Sequence, residues 1–172
     1  MARILVTVGM GPWPFDRLIG AIAPLCTDHE VFAQTGTATV RPPCPHRAFV
    51  PFGELQERLG KADVVITHAG NTVRLVQRAH KVPIAVARQA GLGEMSNDHQ
   101  VRYLRMEEAS GPVIAMWDVA RLAEAVAGHG ARQTRLLRER PVAPAATPAH
   151  IIETLDSLCA RLARSGDHEK VS

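Results

Sequence analysis

Three short stretches carry the side chains that could do chemistry. Gly9, Met10 and Gly11 follow the apolar run at 4–8. His68, Gly70, Asn71 and Thr72 follow the run at 63–67. Glu94, Asp98, His99 and Gln100 come after the run at 84–87. A glycine at a strand-to-helix turn lets the backbone approach a phosphate, and the helix N-terminus behind it favours negative charge. An imidazole and a primary amide offer donors and acceptors together, as sugar hydroxyls require.

Each stretch also has a plainer reading. The loop at Gly9 serves as a tight turn or as a phosphate cradle. It is not Gly-x-Gly-x-x-Gly, because position 14 is proline, and no Walker Lys-Ser/Thr pair follows. His68 is a structural histidine at a strand end or a functional one. The neighbouring Gly70, Asn71 and Thr72, which open a helix with free N–H groups and a cap, favour function. Asp98 is an N-cap or a ligand-binding group, and Glu94 a sugar contact or a surface charge. His68 and His99 are the candidate catalytic bases. They are not spaced i, i+4 and no cysteine lies near them, so neither metal nor cofactor is expected.

The elements that must position these residues alternate. Strand patterns at 4–8, 30–34, 47–50, 63–67, 83–87 and 113–115 are separated by helical spacing at 15–25, 54–59, 72–80, 98–108 and 119–126. That alternation predicts an α/β fold, a Rossmann-like parallel sheet with helices on both faces. In such sheets ligands bind beyond the carboxyl ends of the strands, where all three polar stretches fall. The domain is expected over 1–130, a Pro/Ala-rich connector over 131–148, an amphipathic helix over 149–164 and a disordered tail over 165–172.

Composition narrows the function. The chain has 172 residues, 46 % of them hydrophobic, with a formal net charge of +3. Its basic residues are interspersed with acidic ones and aromatics make up only 4 %, so no nucleic-acid groove is expected. Three cysteines, Cys26, Cys44 and Cys159, are too few and too scattered for a disulfide framework or a zinc site. The opening apolar run is too short for a signal peptide, and no run of about 20 apolar residues is present. A nicotinamide oxidoreductase fails on the glycine pattern.

Taken jointly, several motifs resemble one family. They are Val6-Thr7-Val8-Gly9, Pro14-Phe15-Asp16-Arg17-Leu18-Ile19, Gln34-Thr35-Gly36, Phe49-Val50-Pro51-Phe52, Ala62 through Gly70, and Gly93-Glu94 with Asp98-His99-Gln100. Over about residues 3–127 the chain is similar to the C-terminal domain of family 28 glycosyltransferases, in its stand-alone Alg13/PssE-like form. The resemblance implies the donor-binding half of a GT-B enzyme that takes a UDP-sugar. Gly9 and Met10 would lie near the diphosphate, and Phe49 to Phe52, with Val50 among them, would border the uracil. Gly70, Asn71 and Thr72 would meet phosphate or ribose, and Asp98, His99 and Gln100 the donor sugar. It further implies a separate membrane-associated Alg14/PssD-like subunit holding a lipid-linked acceptor, and a cytoplasmic chain recruited to the inner membrane face by it. A homo-oligomer is the other assembly left open.

The chain departs from the family in one region. An acidic residue usually grips the ribose from the helix after the His-Ala-Gly turn. Here Leu75 or Val76 takes that place, with Gln77 as a substitute if the helix register shifts. The glycine usual before Lys81 is His80. These changes motivate a second reading, a non-catalytic domain that scaffolds or regulates a glycosyltransferase partner.

Overall fold

The computed structural model describes residues 1–142, together with 156 and 157. Six parallel strands make one sheet: β1 (Arg3–Thr7), β2 (Glu30–Gln34), β3 (His46–Arg47), β4 (Val64–His68), β5 (Ile84–Val86) and β6 (Ile114–Ala115), in the order β3-β2-β1-β4-β5-β6. The strand order reverses between β1 and β4, which pair with Val6 opposite Ile66 and Thr7 opposite Thr67. Their loops therefore diverge to opposite faces and leave a crevice at the carboxyl edge.

The strands are buried on both faces, so each reads as an apolar run whose side chains alternate between two cores. Ile4, Val6, Val64, Ile66, Ile84 and Val86 face one core. Phe15, Leu18 and Ile19 fill it from α1 (Asp16–Ala21) and the turn before it, with Leu122 of α6 (Leu122–Ala127) and Leu136 of α7 (His129–Glu139). A short helix, α2 (Leu25–Asp28), leads back into β2. On the other face Leu5 and Val65 pack with Leu59 of α3 (Phe52–Lys61) and Val76 of α4 (Asn71–Arg78). Ala85 packs there with Leu104 of α5 (His99–Ser110).

Two helix ends are held by specific chemistry. The Lys81 ammonium donates to the carbonyls of Leu59, Gly60 and Ala62 at 2.6–2.8 Å, capping the C-terminus of α3 with a cation. α4 ends in a Schellman motif: His80 N–H donates to Gln77 O at 2.8 Å and Lys81 N–H to Val76 O at 3.2 Å. The motif needs a left-handed residue, and His80 supplies it at φ 55°.

Residues 131–139, expected to belong to the connector, are helix instead. α7 escapes an apolar-period search because few of its side chains are buried. It is tied down by polar contacts: His129 Nε2 donates to Val82 O at 2.8 Å, and Gln133 Oε1 accepts Val82 N–H at 3.0 Å. β3 is also shorter than expected, ending at Arg47, so Val50 lies in the loop before α3. The helix expected over 149–164 and the tail over 165–172 lie outside the described residues, Asp156 and Ser157 excepted. Among the described residues no helix is long and apolar enough to cross a membrane.

Candidate functional site

The crevice between β1 and β4 is built around His68. The ring lies between two glycines. A Cβ on Gly9 would stand 2.7 Å from His68 Cε1, and one on Gly70 would stand 2.5 Å from Nε2. Gly9 also adopts φ 77°, a left-handed backbone that favours glycine. Small residues at both positions thus let the imidazole occupy the space between the two loops. Burial, together with the Arg88 guanidinium, holds the His68 imidazole down to about 4, while a hydrogen bond with the Thr7 backbone pulls the other way. His68 is therefore neutral at physiological pH and a weak proton acceptor.

The Gly9 loop is anchored from beneath by Arg88, only 3 % exposed. Its guanidinium donates to the carbonyls of Trp13 (2.8 Å), Pro14 (2.9 Å) and Val8 (3.0 Å), and lies 4.4 Å from the centre of the Phe15 ring. Gln34 ties the loop from the side. Its Nε2 donates to Gly9 O and to Ala48 O, both at 2.8 Å, and its Oε1 accepts from Thr7 Oγ1 at 2.6 Å. Sequence reading missed both roles. The available signal was polar side chains at the ends of buried strands, where a hydrogen-bond partner is obligatory.

A cavity of about 630 Å³ opens in front of this framework. Thr7, Gly9, Met10, His68, Asn71 and Thr72 line one side, with Val50, Phe52, Leu55 and Leu75 forming its apolar wall. At Asn71 and Thr72 the first-turn amides of α4 have no backbone acceptor among the described residues, so they are free to bind an anion. Gln34, Arg74 and Arg78 complete the lining. Of the expected donor-binding residues, the structure thus brings Gly9, Met10, Val50, Asn71 and Thr72 together with His68, and Gly70 stands behind the ring.

The third expected stretch does not line this cavity. Gln100 is buried, its oxygen accepting the Arg88 backbone N–H at 3.2 Å. Asp98 stands at the N-cap position of α5, but its carboxylate accepts the Ala90 N–H at 2.8 Å. His99 is exposed, with Nδ1 2.6 Å from Asn97 Oδ1. Nδ1 donates there, since an amide oxygen can only accept. Glu94 is not a surface charge. It is buried in a two-pronged ion pair with Arg17, both contacts at 2.8 Å, and accepts Gln89 N–H at 3.0 Å.

Three successive side chains of α4 meet three different surroundings. Leu75 lines the cavity, Val76 is in the core, and Gln77 points away. Gln77 Nε2 donates to Glu107 Oε2 at 2.9 Å, so it cannot reach a ligand in the cavity. Among the described residues no three His, Cys, Asp or Glu side chains converge as a metal site.

No protein-family model matches the chain, and no curated protein does. The chain shares the fold of a glycosyltransferase. Its structure is similar to that of CalG4, the calicheamicin glycosyltransferase, with a TM-score of 0.58 at 18 % identity. The match covers 94 % of this chain and 44 % of CalG4, so the chain spans less than half the length of that protein. The shared architecture is Rossmann-like, within a GT-B glycosyltransferase fold.

Proposed function

We propose that this chain is the donor-binding half of a glycosyltransferase and takes a UDP-sugar. One observation carries the reading: the cavity at the β1/β4 crevice joins the left-handed Gly9 turn to the free first-turn amides of α4 across a neutral imidazole. Such a site binds a diphosphate through backbone N–H groups and the helix dipole. The apolar wall of Val50, Phe52 and Leu55 accepts the base.

In the reaction, an acceptor hydroxyl oxygen attacks the anomeric carbon of the donor sugar. The bond from that carbon to the diphosphate breaks, and the diphosphate leaves as an anion stabilised by the same amides. The hydroxyl proton passes to a general base. His68 is a weak base in its buried setting, which leaves exposed His99 or a group from the acceptor side.

On this reading the acceptor is held by a second, Alg14/PssD-like membrane-associated chain. Met10, Phe49 and Leu92, exposed apolar side chains on the loops following β1, β3 and β5, support this, as does exposed Phe52 at the start of α3. A cytoplasmic chain at the inner membrane face follows from that partnership.

Calorimetric titration with UDP, and with ADP, GDP and dTDP as controls, tests the reading. Selective binding of UDP that is lost in Asn71→Pro is the expected result. Binding of none of the four overturns it. A second reading, a scaffolding domain without activity, is favoured by Leu75 at the ribose position and by the burial of Gln100. It predicts no nucleotide binding together with tight binding to a glycosyltransferase chain.

A further inference from the structure

The charge on the cavity wall is all of one sign. None of its lining residues is acidic, and two are arginines on successive turns of α4. Arg74 is already committed: its guanidinium pairs with the buried Glu107 carboxylate and donates to Gln77 Oε1 at 3.3 Å. Arg78 makes no ion pair among the described residues. It is exposed at the cavity, one turn beyond Leu75 on the same helix face.

The opposite end of α4 holds the free amides at Asn71 and Thr72. Arg78 lies seven positions after Asn71, about 10 Å along the helix axis. A diphosphate at the N-terminal end leaves Arg78 beyond it, within reach of the sugar of the nucleoside. Hydroxyls of an unmodified ribose are best held by a carboxylate acceptor, which Leu75 cannot provide. A guanidinium has only donors in a planar fork, which matches a phosphate.

We propose that Arg78 makes this a site for nucleotides that are anionic at the ribose as well as at the 5′-diphosphate: a nucleoside diphosphate bearing a further phosphate on a ribose hydroxyl. The proposal rests on the nucleotide-binding reading and changes the substrate class within it. Leu75 and Arg78 together discriminate, the leucine by offering no acceptor to a free diol and the arginine by pairing the added charge.

Calorimetry on the full chain with UDP and its 3′-phosphorylated derivative, and with ADP and 3′-phospho-ADP, tests it. The expected result is tighter binding of the phosphorylated member of a pair, on the order of tenfold, with the ratio falling to about one in Arg78→Gln. Arg78 is exposed, so the substitution leaves the core untouched. Equal affinities within each pair, or a preference that survives Arg78→Gln, overturn this proposal while leaving nucleotide binding intact. Binding of none of the four overturns both.

Discussion

His68 stands so close to Gly70 that a Cβ on Gly70 would lie 2.5 Å from the imidazole Nε2. The glycine there answers a steric demand alone, since its φ of −147° is open to any residue. Gly70→Ala should destabilise the fold by about 1–3 kcal/mol through overpacking. Adding His68→Ala removes the clashing ring. Urea unfolding of the single and double variants should show a coupling of about 1 kcal/mol or more in the direction of relief. Additive effects would mean the ring does not depend on the glycine.

The neutral state of His68 makes stability depend on pH. Its folded value of about 4 lies below the ordinary 6.5. Above about pH 6.5 neither folded nor unfolded chain binds the proton, and the neutral ring costs nothing. As pH falls towards 4 only the unfolded chain takes it up, so stability is lost. The loss amounts to about 3 kcal/mol across that window. Burial lowers His129 in the same sense, so the wild type should be compared with His68→Asn at each pH. The variant should lose less stability on acidification, and an NMR titration of the His68 ring should show no inflection near pH 6.5.

Arg88 donates to carbonyls on both sides of the Gly9 turn from a buried position. Arg88→Met should cost about 3–5 kcal/mol, because it strands several carbonyls and leaves Glu94 with one cation fewer nearby. Arg88→Lys should restore only part, since an ammonium cannot span Val8 O, Trp13 O and Pro14 O in one plane. Hydrogen exchange at residues 8–11 should quicken in both variants beyond what the global stability loss accounts for.

His80 occupies a left-handed position that glycine takes without strain. His80→Gly should raise stability by about 1 kcal/mol, measured as an increase in urea midpoint at unchanged m-value. A loss of stability would show that the His80 side chain holds the turn by some contact of its own.

The strands were legible because burial on both faces writes them as uninterrupted apolar runs, and the polar residues that stop those runs mark the carboxyl edge. The loops at Gly9 and Gly70 could be placed at one site for the same reason. The third stretch could not be assigned by that logic. Asp98, His99 and Gln100 have the side chains a sugar needs. The same side chains also satisfy backbone groups within the fold, and Gln100 and Asp98 are used in that way. Glu94 carries no sign in the sequence of its partner Arg17, which is 77 residues away.

The sequence by itself determined the parallel α/β sheet and the edge of it that bears the chemistry, because both follow from periodicity and from where apolar runs end. Tertiary structure alone decided which polar residues remain free at that edge. Arg74 and Arg78 look alike in the chain, yet Glu107 claims the first and leaves the second facing the cavity. Arg88 reads as a loop residue and Gln34 as a strand end until the fold buries both beside the Gly9 turn. Periodicity is a local property, whereas the satisfaction of a buried charge or amide depends on partners brought close only when the chain is folded.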